Sequence, residues 1–480
     1  MLLIVTILFP IIAGIIVSVI NADMSIRKRG YTGTVILTDI LCILSILEGK
    51  AVTPIVLTGN VSFSFAADGI SKYFMIAVML LYTCTCFYAF EYMNHEERPN
   101  VFFAFFFISF GALIAVALSA NMITLYLSFE MLTLMTVPLV LHELSTDAVA
   151  AGLKYLFYSV GGALLGLLCV FFVYNFSSGD VSFVYGGFLD PGRIAGHEKL
   201  FLVTVFLGII GFGTKAGMYP MHGWLPAAHP IAPAPASALL SGIVAKAGVI
   251  AIIRLIYYSV GPELIRGTWV QYTWMTLCLL TIFMGSMMAY REKIMKKRLA
   301  FSTISQISYI LLGLSFLSEG GLEGGLLHLM SHVASKGCLF MVSGIFIVQL
   351  GIRKVSDLKG IGKRMPVTMW CFTIASLSLV GIPPLGGFLS KWYIASAAID
   401  SGLMPFAFLA PVILLISALL TGGYLLTIVV DGFFPGHDVR EADLKPAEPR
   451  RIMWIPLMVL CAAALIMGLF GPAILATFGL

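Results

Sequence analysis

Residues 215–248 read KAGMYPMHGWLPAAHPIAPAPASALLSGIVAKAG. A lysine opens the stretch, and a second, Lys246, lies near its end. Each belongs to an apolar run long enough to cross a bilayer, near 200–220 and 235–258. Ionisable side chains inside such runs are costly and mark ion pathways more often than they serve packing. Glycines and a proline make a helix break here: Gly211, Gly213, Gly217 and Pro220 interrupt the first run around Lys215. Backbone freed in this way at membrane depth is tolerated only beside protein or a hydrated cavity.

Working outward, apolar runs recur almost end to end. They fall near 2–20, 32–48, 69–92, 101–119, 121–142, 150–174, 200–220, 235–258, 270–289, 298–317, 322–350, 367–398, 405–433 and 452–479. The expected fold is therefore an all-α integral membrane protein, a single membrane domain of about fourteen transmembrane helices. Composition agrees: 59% of the 480 residues are apolar and 11% charged, against roughly 45–50% and 25% in soluble domains. The second run is the weakest, because Asp39 interrupts it. The first has neither a basic leader nor a cleavage pattern, so it is expected to be retained as a span. Residues 51–66, AVTPIVLTGNVSFSFA, combine a proline, a Gly-Asn pair and alternating Val, Ser and Phe, which predicts a short exposed hairpin.

Of the 29 basic residues, nineteen fall in loops on one side of these spans, five on the other and five within helices. The larger group comprises Arg27 to Arg29, Arg98, Lys154 and the clusters at 291–298, 353–364 and 440–451. The positive-inside rule then puts both termini outside, the inner membrane of a prokaryotic cell being the expected location. The net charge of +5 follows from these loops and implies no nucleic acid. The eight cysteines lie in or beside apolar runs with no CxxC among them, so they read as small core residues and the chain as free of metal and cofactor sites.

A second break, Gly381, Pro383, Pro384, Gly386 and Gly387, interrupts the twelfth run just before Lys391. The seventh and twelfth spans lie an odd number of crossings apart and so run in opposite directions. Two such discontinuities point to an inverted repeat with ion sites near the midplane.

Glu130 sits mid-run in TLYLSFEMLTLMTVPLVL (124–141), roughly 15 Å from either end at 1.5 Å per residue. Its expected partner is Lys215. A contact near 4 Å would be worth roughly 4 kcal/mol at an effective dielectric of 20. Making the pair would hold a proton on the lysine, and breaking it would release that proton, which is a switch; the alternative is a fixed salt bridge between two helices. Lys246 is the expected next acceptor. Arg254 never loses its proton, so it reads as a fixed charge or a snorkelling anchor. In HLMSHVASKGCLF (328–340), His328, His332 and Lys336 fall four apart on one helical face, with Ser331 and Ser335 nearby. That face suits a proton relay, although histidine packing and a His-x-x-x-His metal site remain open. Lys391 is the last mid-depth base and could deliver protons to one side. His142 and Glu143 begin HELST, which is no HExxH zinc motif. His222 and His229 read as a packed cytoplasmic link or a point of proton uptake, with Glu143 as a further candidate there. Driving a charge against the field costs roughly 2.3 kcal/mol per 100 mV, and the chain has neither a nucleotide-binding loop nor redox ligands. It must be driven from outside.

At these residues the sequence resembles the antiporter-like subunits shared by respiratory complex I, energy-converting membrane-bound NiFe hydrogenases and Mrp-type cation/proton antiporters. The resemblance covers roughly residues 65–430. It is most specific in the opening stretch, in KKRLAFSTISQ (296–306), in HLMSHVASKGCLF and in GIPPLGGFLSKWYI (381–394). It implies a proton-translocating subunit of a redox-driven complex or, alternatively, a subunit of an Mrp-type Na+/H+ antiporter; a mere scaffold is disfavoured because every carrier position is ionisable. The implied carriers are Glu130, Lys215, Lys246, the His328/His332/Lys336 face and Lys391. The implied organisation is three N-terminal helices (1–100), two inverted five-helix repeats (101–258 and 270–433), each with one broken helix, and a last helix (452–480). Val249 and Ser308 depart from the family pattern, and no long lateral helix follows the fourteenth span. Expected partners are other membrane subunits, the lipid bilayer and a peripheral redox module. Fe-S clusters, NiFe or flavin would sit only in those partners, and the ion would be H+, with Na+ the alternative.

Overall fold

Every apolar run expected to cross the bilayer is helical in a computed structural model of the chain, which describes residues 1–20, 22–58, 61–177, 179–436 and 445–480. In order these are α1 (Leu2–Val19), α2 (Met24–Glu48), α3 (Gly69–Tyr92), α4 (Pro99–Leu118), α5 (Met122–Val140) and α6 (Thr146–Asn175). The broken seventh span comprises α7 (Glu198–Ala216) and α8 (Leu225–Ile231), and α9 (Ala234–Val260) follows. Next come α10 (Trp269–Arg291), α11 (Met295–Ser315) and α12 (Glu319–Leu350). The broken twelfth span is α13 (Pro366–Val380) with α14 (Gly386–Asp400), and α15 (Phe406–Phe433) and α16 (Arg451–Thr477) complete the bundle. Among the described residues twelve helices are long and apolar enough to span a membrane. The broken α13/α14 pair and α11, diluted by a hydroxyl- and amide-rich face, bring the spans to fourteen.

Two boundaries differ from expectation for the same reason. Helix α2 starts at Met24 rather than near residue 32, and α11 at Met295 rather than 298, each taking basic residues into its first turns. Hydropathy excludes such residues, but long side chains can reach carbonyls beyond the helix end. Arg27 donates to Ile20 O at 2.8 and 3.0 Å. Lys296 and Arg298, counted above as loop charges, are buried at 5% and 8% exposure.

The hairpin is present: β1 (Val52–Thr58) pairs antiparallel with β2 (Val61–Phe65), Val52 opposite Phe65 and Thr58 opposite Val61. Its Gly59–Asn60 tip lies outside the described residues, as does Arg440. Asp68, Asn121, Ser145 and Ser318 cap α3, α5, α6 and α12 by accepting first-turn amides, which would otherwise be unpaired.

The two halves repeat one order of neighbours. Helix α4 packs on α5, α5 on α6, α6 on α7 and α7 on α9; likewise α10 packs on α11, α11 on α12, α12 on α13 and α14, and α14 on α15. Helix α12 also touches α3, α9 and α16 and is buried almost throughout from Gly321 to Phe346. The core therefore runs along α9 and α12, where the two halves meet.

Candidate functional site

At the seventh-span break, α7 ends on Ala216 and Gly217 turns the chain at φ 78°. The Trp224 indole donates to Thr214 O at 2.8 Å, taking up a carbonyl the helix end leaves free. Lys215, in that last turn, is 1% exposed. Its ammonium donates to Thr133 Oγ1 of α5 at 2.9 Å and to Tyr155 OH of α6 at 2.7 Å. It also lies 4.7 Å and 5.6 Å from the ring centres of Tyr155 and Phe129. The expected salt bridge to Glu130 is not made. Glu130 precedes Thr133 by one helical turn, and its Oε1 is buried without a hydrogen-bond partner. The two charges act on each other without touching. Hydroxyls on the neighbouring helices reach the ammonium first.

Lys246 is buried in α9 just after a π-helical turn, Leu240–Val244. That turn sends the Ala245 amide to Leu240 O, five residues back at 3.0 Å. The Lys246 ammonium donates to Ser241 O at 2.5 Å and meets His332 Nδ1 at 2.5 Å. Helices α7 and α9 approach closely at Gly248, where a β-carbon would lie 3.1 Å from that of Lys215 and closer still to Ala216 N. The two lysines thus flank one helix contact.

His328, His332 and Lys336 are all buried on α12. His332 Nε2 has no hydrogen-bond partner, and its ring centre is 6.2 Å from that of His328. His328 stacks on Tyr309 at 5.3 Å, with Nε2 3.1 Å from Gln306 Oε1 and Nδ1 2.8 Å from Ser390 Oγ. Ser390 Oγ in turn donates to Gly387 O at 3.1 Å. Lys336 donates to Leu299 O at 3.1 Å, and the hydroxyls of Ser331 and Ser335 have no partner.

The next residue after Ser390 is Lys391. Its ammonium donates to Leu379 O and Val380 O, the last carbonyls of α13, at 2.6 and 2.9 Å, and lies 5.1 Å from the Tyr309 ring centre. The lysine of one half-helix thereby neutralises the negative end of the other.

The remaining candidates separate. Arg254 is a fixed charge: it donates to both Asp68 oxygens at 2.5 and 2.7 Å and to Ser71 Oγ at 2.9 Å, between the rings of Phe183 and Tyr258. Burial pushes the Asp68 carboxyl up, but Arg254 outweighs it and holds the group below the usual carboxylate range. His222 is half-buried, stacked on Tyr219 at 5.8 Å, and Glu143 is exposed at the end of α5; neither joins the buried line. Sequence reasoning missed Tyr155, Thr133, Gln306 and Ser390, whose hydroxyls and amide carry no charge to mark them. It also misjudged Lys296, which bonds the carbonyls of Ala232 and Pro230. Three cysteines converge, Cys338 Sγ lying 3.8 Å from Cys461 Sγ and both near Cys371 O. Among the described residues no group of three or more His, Cys, Asp or Glu is placed to hold a metal.

Two family models match. The one described as NADH:quinone oxidoreductase/Mrp antiporter, TM, covers residues 119–417, and the complex I chain 5 N-terminus covers residues 56–103. NADH-quinone oxidoreductase subunit N of Desulforudis audaxviator is 31% identical over 392 residues, 79% of this chain and 76% of that protein. Hydrogenase-4 component B of Escherichia coli is 32% identical over 345 residues, 68% of this chain and 49% of that protein, so the chain spans about half of its length. In fold, the chain superposes on a chain of the Mrp complex from Dietzia sp. with a TM-score of 0.84 at 21% identity, over 99% of this chain and 96% of that one.

Proposed function

Because the chain belongs to the NADH:quinone oxidoreductase/Mrp antiporter transmembrane family, we propose that it is a proton-translocating, antiporter-like subunit of a redox-driven membrane complex of the complex I or energy-converting hydrogenase kind. The observation that carries this reading is the line of buried groups Lys215, Lys246, His332, His328 and Ser390, ending at the half-buried Lys391, with contacts of 2.5 Å at Lys246–His332 and 2.8 Å at His328–Ser390.

In this reading Glu130 and Lys215 form the switch. With the ammonium on Thr133 and Tyr155, the proton is least strongly held; when it swings to Glu130, the carboxylate retains it. Lys246 and the α12 face pass protons across the middle, and Lys391 hands them to one side. The partners proposed are further membrane subunits and a peripheral module holding Fe-S, NiFe or flavin centres. The proposed setting is a prokaryotic inner membrane with both termini outside, and the repeats are residues 101–258 and 270–433.

The test is donor-driven proton movement in vesicles containing the assembled complex. Lys215→Ala and Glu130→Ala should each abolish it while native gels show intact assembly, and normal pumping in both variants would sink the switch. The Mrp-like fold over nearly the whole chain supports a second reading, a subunit of an Na+/H+ antiporter. That reading requires proton movement to depend on Na+ and to proceed without any electron donor.

A further inference from the structure

Near the seventh-span break, His229, Lys296, Glu96 and Glu143 take no part in the line above. His229 lies in α8, is wholly enclosed, and has no hydrogen-bond partner on either ring nitrogen. Its ring centre is 4.9 Å from that of Phe340 and 6.3 Å from that of Trp224. Each unsatisfied polar group in such a place costs about 1–3 kcal/mol. An aromatic or aliphatic side chain would pack there without that cost, so the imidazole asks for a role.

Lys296 supplies its neighbour. Its ammonium holds the carbonyls of Ala232 and Pro230, in the turn just beyond His229. The charges that act on His229 are, in falling order, Lys296, Lys336 and Lys246. Those that act on Lys296 include Glu143, Arg353 and Glu96. Glu143 is exposed, and Glu96 is half-buried between α3 and α4. Burial, and after it the charge of Glu143, raise the Glu96 carboxyl above its ordinary range. Lys296 thus holds the turn beside an unpartnered imidazole, and Phe340, on which that ring packs, lies one helical turn beyond Lys336 on α12.

We infer that His229 and Lys296 form the uptake port of the relay, through which protons collected at Glu96 and Glu143 reach Lys246 and Lys336. This rests on the proton-translocating reading above. A water-borne proton binds one ring nitrogen while the other nitrogen gives its hydrogen onward, and a ring flip restores the starting tautomer, so nothing is consumed. Lys296 is the latch, since its grip on Ala232 and Pro230 sets the shape of the turn that carries the ring. Trp224, 4.7 Å from Tyr155, gives the port a wall in common with the Lys215 site.

The experiment uses vesicles of the whole complex in both orientations. His229→Ala should lower proton translocation by at least about tenfold, as expected for loss of a proton-transferring group. Imidazole added on the side bearing Glu96, and not on the other, should restore part of the rate. Lys296→Gln should slow translocation several-fold, with Lys296→Arg close to the parent. If His229→Ala does not assemble, His229→Gln is read instead. Full-rate translocation in the variant read, or a loss that imidazole restores from neither side, overturns the port. Lys215→Ala run alongside separates the two ideas: if it stays inactive the relay stands without this port, and if it pumps normally the relay reading itself has failed.

Discussion

Lys215 shows how a single residue can be legible and its partner not. A charge inside an apolar run is conspicuous, and burial confirms it. Its acceptors, Thr133 and Tyr155, are hydroxyls of the kind every membrane helix carries, so only the packing of α5 and α6 could single them out. A hydrogen bond to a charged group contributes about 1.5–3 kcal/mol. Tyr155→Phe should therefore bias the ammonium toward Glu130 and slow proton translocation by about tenfold or more, with the complex still assembled; an unchanged rate in vesicles would count against the switch. Arg254 makes a different prediction. Asp68→Ala leaves an enclosed guanidinium without its counter-charge, at a cost of about 3 kcal/mol, read as a lower melting temperature in detergent. Because Arg254 holds the folded Asp68 carboxyl below its ordinary value, the pair's contribution is fully present above about pH 4. It is lost as pH falls through the lowered folded value.

At the scale of elements, the helix breaks follow from glycine and proline, and the sequence located both. Left unresolved was how each lysine sits against its break. Lys215 ends the half-helix before its break, whereas Lys391 begins after its own and bonds the last carbonyls of α13. That difference depends on the path of the chain through Gly381 to Leu385, where Gly381 adopts φ 95°. Gly387 makes the close return possible, because a β-carbon there would overlap the Ser378 carbonyl oxygen. Gly387→Ala should push α14 off α13, separate Lys391 from Leu379 O and Val380 O, and abolish translocation or assembly; full activity on the native-gel-purified complex would contradict this contact. The N-terminus of α13 is fixed from afar, since Glu448 accepts the amides of Val367 and Thr368 at 3.1 and 2.9 Å. Glu448→Ala should cost about 1 kcal/mol, measurable as a small drop in melting temperature.

For the whole molecule, exposure divides the helices sharply. The central window of α9 is completely buried, while only 33% of that of α15 and 39% of that of α6 is. A photoreactive lipid should therefore label Phe157 and Phe171 on α6 and Leu419 on α15, which are 78%, 62% and 70% exposed, and leave α9 at background by mass spectrometry. Labelling of α9 would mean that the two halves do not close over it. This arrangement encloses Lys215, Lys246, His328 and His332 in protein, where charges act strongly on one another.

The sequence by itself determined the membrane class, the succession of apolar helices with its two breaks, the hairpin and which ionisable side chains lie within helices, because hydropathy, glycine and proline act locally and a charge in an apolar run is conspicuous. Tertiary structure alone decided the pairings. It set Lys215 on Thr133 and Tyr155 instead of Glu130, joined Lys246 to His332 across two helices, and carried Lys296 from an assumed loop to the side of an unpartnered His229. Those outcomes turn on which hydroxyl or carbonyl a long side chain meets first once helices pack, and that is a property of the distances between helices far apart in sequence.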